Sequence, residues 1–231
     1  LLLINACREM GLTDAEFRIF LNDRRILNSI LEKIEVPPNL HDSVLVIMDK
    51  RDKVSPESFS EMLVESGMNS SQVEQLKEHL AIPELESLSK LLPDCEGITA
   101  LQELSKLINI SGFSSYIQFD VSIVRGLSYY TGPVFEMNHP QKSHRAICGG
   151  GRYDSLLSTY GGETIPAVGF GFGDVVILDV LEEHGRSPDR AVNLILPSYP
   201  LIPPRSEPHS NWPEIFAIWD GVWNVISVYE K

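Results

Sequence analysis

The chain has 231 residues, of which 43% are hydrophobic and 22% charged. That is enough for one large domain, or two small ones, with a real core. A formal net charge of -13 excludes a surface that is basic all over, so any nucleic-acid partner needs a local cationic patch or another part of the protein. Cys7, Cys95 and Cys148 stand far apart, without a CxxC pair or a His/Cys cluster. This argues against both a zinc site and a disulfide framework, predicts no metal ligands, and fits a reducing compartment.

Taken in chain order, residues 1–10 carry apolar side chains at helical spacing, and Gly11 closes the run like a C-cap. The start has no basic lead and no small-residue cleavage site, so it reads as a helix in progress, in a chain that begins inside a domain. "EFRIFL" alternates like a strand, with Phe17, Ile19 and Leu21 on one face. Asn22 and Asp23 then act as a cap for an amphipathic helix, "RRILNSILEKI", which Pro37 and Pro38 break. "SVLVIMDKRDK" fits a buried helix and a strand equally well. Residues 54–111 read as helical throughout, with Ser55 before Pro56 as a start signal and Gly112 as the stop.

The texture changes at 116. "YIQFDVSIVRG" alternates, "PVFEM" is strand-like, and "RAICGGGRYD" reads as a short strand running into a glycine turn. "SLLSTYGG" is a short helix. "IPAVGFGFGDVVILDVLEEHG" reads as a glycine-bearing central strand turning into a helix that ends at Gly185. Eight of the sixteen glycines lie between 149 and 173, a density that brings backbones close to each other or to a ligand. From Pro197, the last residue of "NLILP", six prolines fall in 17 residues, too many for a helix or a central strand. No apolar run is long enough to span a bilayer.

Three stretches carry chemistry. Arg125 sits after a strand and before a glycine, where a guanidinium fork can grip a carboxylate or a phosphate. If the strand continues, Tyr129 and Tyr130 point to opposite faces, one into a pocket and one into the core. The bland alternative is a surface arginine with two half-buried tyrosines in a hairpin. In "GGGRYD", Gly149, Gly150 and Gly151 let a ligand touch backbone while Tyr153 offers a polar contact; the alternative is a tight turn capped by Asp154. "AVGFGFGD" lacks the G-x-G-x-x-G spacing, and no G-K-[ST] follows a glycine run, so a dinucleotide fingerprint and a P-loop are both excluded. There is also no G-x-S-x-G elbow of a serine hydrolase. His139 and His144 flank a loop and receive no role.

In this order and at these spacings, the three stretches resemble histidyl-tRNA synthetases, a class II aminoacyl-tRNA synthetase family. "RGLSYYTG" looks like the family's first histidine-specific motif, R-G-L-D-Y-Y-T-G, and "GGGRYD" like its second. "IPAVGFGFGD" looks like the start of the third general class II motif. The resemblance implies an α+β fold: a mostly antiparallel sheet flanked by helices, with a helical insertion. It divides the chain into catalytic core (1–53), helical insertion (54–111), core with the histidine motifs (112–190) and a proline-rich divergent tail (191–231).

The activity it implies is that of a histidine–tRNA ligase. Histidine and ATP, with Mg2+, form histidyl-adenylate, and the histidyl group then passes to tRNA(His). It implies a cytoplasmic homodimer, with an organellar form left open and no membrane. It makes Arg125 the catalytic arginine and places Tyr129, Tyr130, Tyr153, Gly149, Gly150, Gly151, Gly169 and Gly171 around the substrates. Two departures stand out: Ser128 replaces the motif's Asp, and Val176 stands where the family carries an adenine-stacking arginine. The first two class II motifs, which supply dimer contacts and part of the ATP grip, are absent. This chain alone is therefore expected to be inactive. The second reading is a synthetase-like regulatory or binding module that keeps a histidine or tRNA pocket without aminoacylation. The third is an unrelated α+β domain with a glycine-rich hairpin.

Overall fold

A computed structural model describes residues 1–126, 129–141 and 145–186, all within one compact unit, Leu1–Ser187. Its frame is a sheet of β1 (Arg18–Asp23), β2 (Ile117–Phe119), β3 (Pro133–Asn138), β4 (Cys148–Arg152) and β5 (Val168–Phe172), in the order β2-β1-β3-β4-β5. Only β1 and β2 run parallel; the other three pairings are antiparallel. A parallel pair needs a long crossover, and here the chain between β1 and β2 is the helical stretch.

That stretch follows its local signals. Asp23 caps α2 (Arg24–Lys33), its carboxylate accepting from the Arg25 N–H at 3.0 Å. Pro38 does not end α2. It opens α3 (Pro38–Met48) at the first helical position, where its missing N–H is no loss, and this settles "SVLVIM" as helix. Ser55 caps α4 (Pro56–Glu65), and Asn69 with Gln72 forms a capping box on α5 (Ser70–Leu80). Helices α6 (Leu85–Leu91) and α7 (Glu96–Ile110) follow, and Gly112 stops the run at φ +75°. These helices share a core with α2 and α3: Leu63, Leu76 and Leu88 bury against Ile26, Leu27 and Val44.

The two faces of the sheet differ. Ile19, Leu21, Met137 and Cys148 lie on one face and pack on α1 (Leu2–Glu9) and on Ile177, Val180 and Leu181 of α9 (Asp174–Glu183). Residues opposite one another in an antiparallel pair share a face. The register therefore puts Phe20, Glu136 and Gly149 on the other face, with Val134, Gly151, Gly169 and Gly171. Over that face packs a small cluster of Phe20, Ile123, Tyr130 and Val134.

Three expectations need correction. The three consecutive glycines form no turn: they are the middle of β4, laddered on both sides, because neighbouring strands override the low strand preference of glycine. β5 lies at the end of the strand order rather than in the centre. The alternation in "YIQFDVSIVRG" outruns its strand, which stops at Phe119; the chain beyond runs across the second face instead of along the sheet. Short helix α8 (Leu156–Thr159) and the helix end at Gly185, φ +65°, fall where expected. Among the described residues no helix is long and apolar enough to cross a membrane. The readings at Ser128, at His144 and beyond 190 lie outside the described residues.

Candidate active site

Four glycines on β4 and β5 form a floor. Gly149 stands opposite Gly171, and Gly151 opposite Gly169. Three of the four are covered by a side chain that a Cβ would strike. At Gly149 it would run into the Arg125 guanidinium, and at Gly169 into the Tyr153 phenol. At Gly151 it would lie 2.8 Å from the Tyr130 ring. Among the described residues nothing lies within 4 Å of a Cβ placed on Gly171, so the floor is open there. Gly150 faces away from this group; a Cβ on it would strike the backbone of β5 at Gly169 and Phe170. Close approach thus leaves no room for a Cβ at 150, 151 and 169, and at 149 only if the guanidinium moves aside, whereas at 171 the space above is clear of described residues.

The walls converge. Tyr129 and Tyr130 do not alternate across a strand, since neither is in one. Their rings lie 4.8 Å apart, and Tyr153 closes the trio at 5.6 Å from Tyr129 and 6.3 Å from Tyr130. Tyr130 is buried and Tyr129 half-buried. The two motifs are stitched by Thr131, whose N–H donates to the Arg152 carbonyl at 2.9 Å and whose hydroxyl accepts from the Asp154 N–H at 3.0 Å.

Arg125 is the centre of charge. Its Nη1 donates to Glu136 Oε2 at 2.9 Å, and each side chain keeps about a quarter of its surface exposed (26%). Burial by itself pulls the guanidinium pKa down. The hydrogen bond and charge of Glu136, followed by Tyr130, outweigh it, and the net shift is upward, so Arg125 is cationic at any working pH. Burial, then the neighbouring Tyr129, push the Tyr130 phenol up to about 12, so it keeps its proton. Burial likewise holds the Cys148 thiol, beside Gly149, at about 12.

The backbone of Arg125 is left-handed, φ +51°, a conformation that costs a non-glycine residue about 1–3 kcal/mol. The approach is pinned: Asn22 Nδ2 donates to the carbonyls of Val121 at 2.8 Å and Ile123 at 2.9 Å. On the far side the Gly126 N–H donates to Asp49 Oδ1 at 3.0 Å. A cavity of about 90 Å3 opens beside the guanidinium, lined among others by Asp49, Arg51, Lys53, Ser122 and Glu136. Among the described residues that line it, Arg51, Lys53 and Arg125 bring three cations beside the carboxylates of Asp49 and Glu136.

Sequence reading missed Glu136 and Asp49. Glu136 had a usable signal, a lone carboxylate at an alternate position of the apolar strand "PVFEM". Asp49 had none that spacing could expose, because its partner lies 77 residues away.

The model of the histidyl-tRNA synthetase family matches residues 1–173 of this chain. The chain belongs to that family. A chloroplastic/mitochondrial histidine–tRNA ligase of Arabidopsis thaliana is 41% identical over 183 residues, covering 79% of this chain and 38% of its own length. The histidine–tRNA ligase of Opitutus terrae is 35% identical over 194 residues, 81% of this chain and 44% of that protein. This chain therefore spans under half the length of these synthetases. Among solved structures, the histidyl-tRNA synthetase of Nostoc sp. PCC 7120 superposes with a TM-score of 0.67 at 25% identity, over 81% of this chain and 49% of that one. A Bacillus halodurans protein described as an ATP phosphoribosyltransferase regulatory subunit/histidyl-tRNA synthetase shares the fold, with a TM-score of 0.64 at 23% identity. The expected α+β fold, a mostly antiparallel sheet flanked by helices, is the fold of this synthetase family. Val176, where the resemblance places an arginine, packs half-buried against the core on the helical face.

Proposed function

We propose that this chain carries the histidine-binding half of a histidine–tRNA ligase active site. The observation that supports it is the glycine floor: Arg125 and two tyrosines stand over it, and it is open at Gly171. In this reading histidine lies among Tyr129, Tyr130 and Tyr153, where phenols can both donate to and accept from an imidazole. Its carboxylate attacks the α-phosphorus of ATP and pyrophosphate leaves. The ribose hydroxyl at the tRNA(His) terminus then attacks the carbonyl, and AMP leaves. Arg125, fixed by Glu136, stabilises the charge that gathers on the α-phosphate, a preorganised donor where charge develops. The protonated Tyr130 is a donor throughout. Gly149, Gly150, Gly151, Gly169 and Gly171 keep the floor low enough for the substrates to lie against backbone.

Mg2+ is expected to arrive with ATP. Among the described residues no three His, Cys, Asp or Glu side chains gather to hold a metal ion, so no ready-made cage fits it, and no step here is routed through it. The rest of the reading is a homodimeric synthetase whose 54–111 segment is an insertion between core segments 1–53 and 112–190, with 191–231 as a divergent tail. The free cysteines fit a cytoplasmic site. The name of the Arabidopsis relative makes an organelle the rival compartment, and a fluorescent fusion distinguishes the two.

Val176 favours the second reading, a regulatory module that binds histidine without aminoacylation. Histidine-dependent ATP–pyrophosphate exchange separates the two. We expect none from this chain alone, and exchange from the full-length protein that is lost in Arg125→Ala. Histidine binding without exchange in the full-length protein supports the regulatory module, and no histidine binding at all sinks both.

A further inference from the structure

The residue that closes α3 is out of place by local rules. Asp49 sits at the C-cap, where the partial negative charge of the helix end disfavours a carboxylate. Its partners explain it. Oδ1 accepts from the Gly126 N–H at 3.0 Å, and Oδ2 from Lys53 Nζ at 3.0 Å. Gly126 is fitted to this contact, since a Cβ there would come within 3.1 Å of the Asp49 carboxyl carbon. The bonded N–H belongs to the residue directly after Arg125, whose backbone is left-handed at φ +51°. Such a conformation persists only where its surroundings hold it. Asn22 holds the chain before Arg125 through Val121 and Ile123, and Asp49 holds it after.

We propose that Asp49 is a positioning residue for Arg125: through the Gly126 N–H it keeps the arginine backbone in the conformation that lays the guanidinium over Gly149 and against Glu136. This rests on the reading of Arg125 as the catalytic guanidinium. What matters is the acceptor oxygen at that spot. The charge is secondary.

The test is histidine-dependent ATP–pyrophosphate exchange by the full-length protein with Asp49→Ala, Asp49→Asn, Asp49→Glu and Arg125→Ala. Asp49→Ala is expected to lower kcat by about 10–100-fold, the size of effect that a small misplacement of a reacting group produces, with the KM for histidine within about threefold. Asp49→Asn keeps an acceptor oxygen and should retain kcat within about threefold of wild type, whereas Asp49→Glu keeps the charge, displaces the oxygen and should fall with Asp49→Ala. Wild-type kcat in Asp49→Ala, or an active Asp49→Glu beside an inactive Asp49→Asn, overturns the proposal. If Asp49→Ala does not fold, the ranking of Asn against Glu decides. Arg125→Ala separates the two failures: if it leaves exchange intact, the catalytic reading of Arg125 falls. A crystal structure of Asp49→Asn and of Asp49→Glu reads the positioning without turnover. Arg125 should keep its left-handed φ and its pair with Glu136 in the first and lose both in the second. If Asp49→Glu keeps both, the proposal is overturned whether or not the protein catalyses.

Discussion

Each glycine of the floor meets a different neighbour, and the differences predict separable outcomes. At Gly149 the obstacle is the far end of a flexible side chain, so Gly149→Ala should fold, push the guanidinium off Glu136, and reduce exchange by about 100-fold. At Gly150 the obstacle is backbone, which cannot step aside, and Gly150→Ala should cost about 3 kcal/mol in denaturant unfolding. At Gly171 no described residue stands in the way of a methyl group. Gly171→Ala should leave the unfolding midpoint unchanged or slightly raised, while the KM for histidine or ATP rises several-fold. A Gly171→Ala variant with unaltered KM for both would remove the substrates from that side of the floor. The glycine-rich texture was legible in the sequence as close approach. Which glycine met a side chain and which met backbone was not, because that depends on the register of β4 with β5.

Among the elements, the helices were the legible part. α2, α4 and α5 each begin at a side-chain cap, and their apolar periodicity survives intact in the core. The strands were less so. "YIQFDVSIVRG" alternates past its strand because the segment after Phe119 still places Val121, Ile123 and Val124 in the interior, so burial continues where the ladder does not. One residue joins a helix to the sheet. Asp23 ends β1, caps α2 and is fully buried, and its carboxylate takes two further bonds from Arg25, at 2.9 and 2.8 Å. Asp23→Ala should therefore cost about 2 kcal/mol, from a lost cap and an Arg25 reduced to its 3.3 Å contact with the exposed Glu96. Asp23→Ser, which restores the cap alone, should recover about half of it. Equilibrium urea unfolding of the three proteins checks this, and equal midpoints for wild type and Asp23→Ala would contradict it.

For the whole molecule, the core between sheet and helices sets an alkaline limit. Burial pushes the Cys7 and Cys148 thiols from the ordinary 9.0 up to about 12. Between these values the folded chain keeps both protons and the unfolded chain releases them. Stability contributed by the neutral thiols is therefore full below about pH 9 and is lost as pH rises toward 12, by about 1.4 kcal/mol per pH unit for each thiol. Urea midpoints from pH 8 to 11 should fall more steeply for wild type than for a Cys7→Ala/Cys148→Ala variant, and parallel slopes would refute it. By itself the sequence determined the family, through three motifs in order, the helices other than α3, through periodicity and caps, and the acidic, cysteine-poor character. Periodicity and caps act within a few residues of chain, and motif order and composition are read without any contact. Only the tertiary structure decided that the three glycines are a strand, that Glu136 pairs with Arg125 and Asp49 with the Gly126 N–H, and that among the described residues nothing covers Gly171. Those facts depend on strand register and on contacts such as the one between Asp49 and Gly126, 77 residues apart, which no local pattern encodes.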